Sequence, residues 1–353
     1  MESVNLENIS SGGQKILSLA RLLRAGLPVP RGFAIRRDEG ENEIPLLFFP
    51  KIKKEYESLA FGQDLANVDA RTLDIIRAGR EKPHTAVRGD GFSFLNVGGL
   101  VKLESVLNES ISLGAREILV QKMVDSEKTA LLCPHPTKDL LQIESSWGLE
   151  LLDETTPDLF EINKQGKIRS YPGHKPWLLT RDPLTGASVR VHTDKEKAKG
   201  LSLTEDNIRK LLSIRSQVEE ILGPGQAIEL AFERNRPQIL QAWPFHKQNF
   251  DIPQKEGNLL VKGKVISPGS AKGPARIVNS PEDLKKVQPG DIIVSPSFRK
   301  EFLAAQASGI ILRSGPILKL RGKLSIPSLR APAELEEGQE ILLDAVNGKV
   351  FSL

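Results

Sequence analysis

The stretch Thr204–Trp243, TEDNIRKLLSIRSQVEEILGPGQAIELAFERNRPQILQAW, reads as a capped helix followed at once by a β-hairpin, and this pairing decides the fold class. Thr204 stands where an N-cap oxygen is needed, and Glu205 and Asp206 follow at the positive end of the helix dipole. The helix is predicted over Glu205 to Leu222, with Gly223 just beyond its end. A strand Ala227 to Glu233, a turn through Arg234-Asn235-Arg236-Pro237 and a second strand Gln238 to Trp243 complete the unit.

Upstream, the apolar stripe Ile16, Leu17, Leu19, Ala20, Leu22 and Leu23 predicts a helix from Gln14 to Arg24, with Ser11 and Gln14 spaced as a capping box. Gly32 to Ile35 reads as a strand and Leu46 to Leu59 as a weaker helix. From Thr85 strands dominate: Thr85 to Arg88, Glu117 to Val124, Thr129 to Cys133, Leu140 to Ser146 and Leu159 to Asn163. Downstream, the polar run 246–257 reads as a linker. Strands near Leu259 to Ile266, Ala275 to Val278, Ile292 to Ser295 and Ile310 to Leu312 follow, alternating with short helical pieces. The fold class is therefore α/β. The units are a first lobe at 1–115, a second at 116–245, the linker 246–257 and a C-terminal domain at 258–353.

Composition narrows the function. With 39% hydrophobic and 27% charged residues over 353 positions, the chain supports two or three folded units. A net charge of +4, 5% aromatics and basic runs without interleaved aromatics (Lys51 to Lys54, Lys195 to Lys199, Lys319 to Lys323) give no support for nucleic-acid binding and read as solvated surface. The single cysteine, Cys133, excludes an internal disulfide and reads as a buried small hydrophobe. No apolar run approaches the ~20 residues needed to cross a bilayer, and the N-terminus lacks a leader pattern, so a cytoplasmic protein with no membrane contact is expected.

Several segments, taken in order, resemble the phosphoenolpyruvate synthase and pyruvate phosphate dikinase family. They are Gly12-Gly13-Gln14, Ala25 to Phe33, Ala86-Val87-Arg88, Val120 to Val124, Glu144 to Leu149, Thr156-Pro157-Asp158, Ala227 to Leu230 and Ile239 to Ala242. Beyond the linker, Ser267-Pro268-Gly269, Ala271-Lys272-Gly273, Gly290 to Val294 and Ala307 to Ile311 are similar to that family's swivelling phosphohistidine domain. The resemblance implies an ATP-grasp module (α+β) followed by a small α/β swivelling domain. It also implies Mg-ATP as cofactor and phosphoryl transfer by charge neutralisation. The family's phosphoenolpyruvate-binding barrel has no counterpart before Leu353.

Carried over residue by residue, the resemblance marks Arg88, Gln121, Met123, Glu144, Glu229 and Gln241 as nucleotide-binding. Glu229 and Gln241 are also marked as Mg²⁺ ligands, with Glu233 on the same face. Other readings stand beside these: a salt bridge for Arg88, a core strand for Gln121 and Met123, a solvated polar pair for Glu229 and Gln241. Asp90 brings negative charge next to Arg88, and Glu150 and Leu151 replace a glycine and an acid of the pattern.

Three departures bear on catalysis. Gln14 replaces a lysine and reads as a helix cap; Trp243 replaces an arginine, and an indole cannot neutralise a phosphate. Between Leu312 and Ile326 the loop is short and holds no histidine, since His84, His135, His174, His192 and His246 all precede it. Lys319, Arg321 and Lys323 fill that loop and read as a solvated basic edge, with contact to an anionic partner as the other reading. No catalytic residue is assigned. Three functions follow as expectations: a nucleotide-binding pseudoenzyme with a regulatory or docking role, an Mg-ATP-dependent phosphotransferase acting on an unknown acceptor or on a histidine in trans, and an interaction module. The partners implied are a nucleotide and, beyond it, a protein or a phospho-carrier in trans.

Overall fold

The computed structural model describes residues 1–38, 40–61, 83–89, 91–153, 155–245, 257–321 and 323–353. The expected linker, Asp90 and His246 therefore lie outside the described residues, except for Gly257 at the linker's end. Three main sheets organise the chain, in keeping with the α/β class.

The first sheet has the order β1-β2-β5-β3-β4, built from β1 (Glu2–Asn5), β2 (Gly32–Arg36), β3 (His84–Gly89), β4 (Phe92–Gly98) and β5 (Glu117–Lys122). Two helices, α2 (Phe49–Phe61) and α3 (Leu100–Ser112), cover it. Phe33, Ile35, Val87 and Val120 meet Ile52, Tyr56, Leu103 and Leu107 in one apolar cluster.

The second sheet runs β13-β12-β6-β7-β8-β9, from β6 (Lys128–Pro134), β7 (Leu140–Trp147), β8 (Asp158–Asn163), β9 (Ile168–Tyr171), β12 (Gln226–Glu233) and β13 (Arg236–Pro244). A separate ribbon pairs β10 (Trp177–Arg181) with β11 (Ser188–His192). Period-two alternation gives this sheet two apolar faces. Ile228, Leu230, Phe232, Leu132 and Ile143 pack on α1 (Gln14–Arg24) and on Ile208, Leu211 and Val218 of α5 (Glu205–Leu222), which follows the short α4 (Lys195–Lys199). Ala227, Leu131, Cys133 and Leu159 point the other way. Cys133 is buried, and burial pushes its thiol pKa up.

The expected cap of α5 is present: Thr204 Oγ1 accepts from the Asn207 amide at 3.2 Å, and Asn207 Oδ1 accepts from the Thr204 amide at 3.2 Å. The hairpin turn is tighter than expected. Arg234 and Asn235 take φ of 49° and 60°, the left-handed pair of a two-residue turn, so Arg236 and Pro237 already lie in β13. Proline is tolerated there because β13 is an edge strand. The capping box expected before α1 does not form. Gly13 is the N-cap, and its amide donates to Glu117 Oε2 at 2.6 Å. Ser11 instead accepts from Arg36.

The third sheet has the order β14-β21-β20-β16-β17-β18-β19-β15. Its strands are β14 (Leu259–Lys262), β15 (Lys264–Ser267), β16 (Ser270–Ile277), β17 (Ile292–Ser295), β18 (Gly309–Leu312), β19 (Ser328–Arg330), β20 (Glu340–Asp344) and β21 (Lys349–Ser352). The single strand expected over Leu259 to Ile266 is two strands on opposite edges of the order. They break at Gly263, where a Cβ would meet the Arg330 carbonyl at 2.6 Å. Only one residue separates the two edges, so the sheet curls almost to closure around Val265, Ile292, Val294, Ile311, Leu329, Leu343 and Val350. Strands β16 to β19 are parallel. None of the described helices is long and apolar enough to cross a membrane.

Candidate functional site

In the second sheet, Gln241, Glu229, Leu131, Glu144 and Leu159 are successive register partners and form one cross-strand row. Directly opposed residues share a face, so the candidate metal pair and Glu144 look the same way as Leu131 and Leu159. That face is not open. Ile317, Leu318, Leu320 and Leu324, from the loop after β18, pack on it together with Trp243, Phe245 and Ile326.

Glu144 sits at the centre of this seam and is fully buried. Its carboxylate accepts from the Ile317 amide at 2.8 Å, the Leu318 amide at 2.7 Å and Arg330 Nη1 at 3.3 Å. Burial pushes its pKa up, while Arg330 and the two amides oppose the shift. Three donors aimed at two oxygens suit the ionised form. As folded, Glu144 is taken up by the seam rather than presented to a ligand.

Arg321 deepens the same contact. It donates to the Pro134 carbonyl at 3.1 Å, Gln142 Oε1 at 2.8 Å and the Val265 carbonyl at 3.0 Å. Lys319 reaches the Leu151 carbonyl at 2.7 Å and Asp153 at 3.2 Å. The expectation of a solvated basic edge thus holds only for Lys323, which is exposed. Trp243 contributes apolar surface to the seam, which gives the indole a packing role where the resemblance expected a cation.

Arg88 approaches from β3 of the first sheet. Its Nη1 lies 3.6 Å from Glu229 Oε2, and its Nε is buried without a hydrogen-bond partner among the described residues. The salt-bridge reading and the candidate site therefore meet in one pair of residues. Gln121 is buried, and its Nε2 donates to the Pro30 carbonyl at 3.3 Å. Met123 lies just past β5 and is half-buried, its amide donating to the His84 carbonyl at 2.9 Å. Glu233 is turned elsewhere, accepting from the Asp125 amide at 3.1 Å.

Glu150, which stands where the resemblance expected a glycine, lies within electrostatic reach of Glu229 and Arg88. Burial pushes its carboxyl pKa up, Lys319 opposes this, and the charges of Asp153 and Glu229 reinforce it. The pKa of Lys323 is lowered, by burial of part of its side chain first and by Lys319 next, with Asp153 and Glu229 opposing. Cations from the C-terminal loop thus share the field around Glu229.

The donor set fits an Mg-nucleotide in part. Among the described residues no cluster of three His, Cys, Asp or Glu side chains is placed to hold a metal. Mg²⁺ is ordinarily held by one or two carboxylates completed by phosphate oxygens. Glu229 and Gln241 offer one carboxylate and one amide oxygen toward such a shell, and the Arg88 guanidinium lies beside them, 3.6 Å from Glu229.

Near the seam, His135 is buried, and its Nδ1 accepts from the Thr137 and Lys138 amides at 3.2 and 3.0 Å. Burial first, then Arg321 and Lys138, lower its pKa to about 3. The unfolded chain therefore binds a proton near pH 6.5 that the folded chain refuses until about pH 3, so stability falls as pH drops through this window. The expected loss from this group is about 2 kcal/mol between pH 7 and 5. Urea midpoints of wild type and His135→Asn, which keeps an acceptor but does not titrate, measure it; parallel pH profiles would disprove it.

Comparisons with known proteins point to the same resemblance. Residues 107–258 match the model of the pyruvate phosphate dikinase AMP/ATP-binding domain. A probable phosphoenolpyruvate synthase of Methanothermobacter thermautotrophicus is 26% identical over 99% of this chain and 62% of the relative. That alignment runs over 434 positions against 353 residues here, so the relative carries stretches inside the matched interval that this chain lacks. A probable phosphoenolpyruvate synthase of Archaeoglobus fulgidus is 28% identical over 69% of this chain and 35% of the relative. The chain thus spans about a third to under two-thirds of these relatives. Among solved structures, D-alanine–D-alanine ligase from Bacillus anthracis covers 64% of this chain and 53% of its own, with 10% identity and a TM-score of 0.31. Residues 107–258 are thus similar to the AMP/ATP-binding domain of pyruvate phosphate dikinase, and the chain as a whole is similar to phosphoenolpyruvate synthases.

Proposed function

We propose that this chain is a nucleotide-binding pseudoenzyme, an ATP-grasp-like module whose former carrier domain is clamped onto it and serves a regulatory or docking role. The supporting observation is the seam itself. In the family pattern, the loop after β18 carries the phosphohistidine. Here that loop holds no histidine, and its backbone amides are bound to a buried carboxylate of the nucleotide module. A carrier that must swing between two sites cannot keep an apolar cluster and a buried carboxylate latched to one of them.

Nucleotide binding would use Arg88 for phosphate, with Glu229 and Gln241 as the protein's share of an Mg²⁺ shell. Bound Mg²⁺ would neutralise phosphate charge. Gln14 and Trp243 supply none of the fixed positive charge that phosphoryl transfer draws on, so binding without turnover is the reading they favour.

Mg-ATP or Mg-ADP at a hundred times its dissociation constant should stabilise the fold by about 2.7 kcal/mol. A thermal melt measures this, and Arg88→Ala should reduce the shift. No shift with either nucleotide would leave an interaction module instead. The alternative is an active Mg-ATP-dependent phosphotransferase acting on an unknown acceptor or a histidine in trans. Steady ATP turnover by the purified chain, lost in Glu229→Ala, would establish that reading and overturn the pseudoenzyme.

A further inference from the structure

We propose a second, separate anion site in the C-terminal domain, a crevice that binds a small phosphorylated molecule. A cavity of about 350 Å³ is lined by Lys262, Lys264, Arg313 and Arg330, with Gly263, Ala331 and Pro332 completing its wall. No carboxylate lines it. Its size lies at the small end of the range typical of metabolite pockets.

The topology explains why the cations converge. Arg313 directly follows β18, and Leu312 is the register partner of Arg330 on the parallel neighbour β19. Lys264 opens β15 opposite Arg330. The break at Gly263 brings Lys262 from the far edge of the curled sheet to the same place. The crevice therefore lies at the carboxyl ends of parallel strands, where open α/β sheets ordinarily bind ligands.

Four like charges at one sheet end repel one another, and Lys264 and Arg330 are direct cross-strand partners. Two of them are compensated from the neighbouring sheet. Lys264 pairs with Glu161 at 2.9 Å, and Arg330 pairs with Glu144. The other two are not. Arg313 uses only its Nε, donating to the Ala333 carbonyl at 3.1 Å, and Lys262 has no partner among the described residues. Two uncompensated cations with free donors, beside a crevice free of acids, form a receptor for a dianion. A guanidinium and an ammonium suit phosphate oxygens in complementary ways, the first as a fork and the second as a point charge.

Calorimetric titration of the full chain with sodium pyrophosphate, in about 150 mM chloride with EDTA to remove divalent cations, tests this. Wild type should bind pyrophosphate saturably. Lys262→Gln combined with Arg313→Gln should weaken binding by about two orders of magnitude, since each charge-assisted hydrogen bond carries roughly tenfold. Arg88→Gln should leave it unchanged, which separates this crevice from the proposed nucleotide site, where Arg88 is the phosphate contact, and keeps the two readings independently testable. Both cavity substitutions fall where fold stability is little engaged, and an unchanged melting temperature verifies that. Non-saturable binding in wild type, equal affinity in the double variant, or a loss that follows Arg88→Gln instead would each overturn the proposal.

Discussion

Replacing Glu144 with alanine is expected to destabilise the protein by about 3–5 kcal/mol. The substitution leaves the Arg330 guanidinium buried without its counter-charge and strips the Ile317 and Leu318 amides of their acceptor. Each of those amides, if unsatisfied, adds a desolvation penalty of ~1–3 kcal/mol, part of which relaxation recovers. Glu144→Gln keeps an acceptor oxygen and should cost less. The clamp has its own optical reporter, because Trp243 packs in the same seam. In Glu144→Ala its emission should shift to the red as the loop lifts away. Equal urea midpoints together with an unshifted Trp243 emission would show that Glu144 does not hold the two modules together.

Breaking the buried pair Lys175 and Asp158 should cost a similar amount. Both side chains are completely inaccessible, at 0% each. Asp158 lies in the Thr156-Pro157-Asp158 segment that resembles the synthase family. The structure gives it a full set of donors. Lys175 Nζ and the Gly173 amide reach one oxygen, and the amide and hydroxyl of Ser202, each at 2.7 Å, reach the other. Lys175→Ala removes the only full positive charge from that set, so the carboxylate remains buried without its counter-ion, and a loss of about 3–5 kcal/mol follows. The double variant Lys175→Met with Asp158→Asn removes both charges together and should recover most of the loss. A double variant no more stable than Lys175→Ala would mean that packing rather than charge governs the site.

Much of the secondary structure was legible because its causes are local. The helix Glu205–Leu222 and its Thr204 cap emerge as expected, since cap, dipole and stop signals all lie within a few residues of each end. The helix Gln14–Arg24 emerges too, although its cap is Gly13 rather than the Ser11 pairing, because Arg36 competes for the Ser11 hydroxyl from another strand. The helix Leu100–Ser112 was missed. Its buried positions Leu103, Val106, Leu107 and Ile111 have helical spacing, and this signal could have found it. Its N-cap is Gly99 with φ of 84°, so no Ser, Thr, Asp or Asn announces its start.

The candidate site was legible in part for the same reason. The hairpin that carries Glu229 and Gln241 can be read from sequence because its turn is short-range, but a bulge between Glu229 and Leu230 shifts the ladder, so that Glu229 faces Gln241 rather than Leu240. The salt bridge between Arg88 and Glu229 and the burial of Glu144 both depend on partners far away in the chain.

By itself, the sequence determined the α/β class, the order of the main elements, the resemblance to the synthases and the absence of a histidine beyond His246. These follow from periodicity, caps, turn residues and simple count. Only the tertiary structure decided where the loop between Leu312 and Ile326 packs. Its Ile317 amide binds a carboxylate 173 residues away, and its Arg321 reaches an acceptor 179 residues away. Whether a charged side chain meets water, a ligand or a buried partner is set by which surface folds against it, and for Glu144 that surface is the loop after β18.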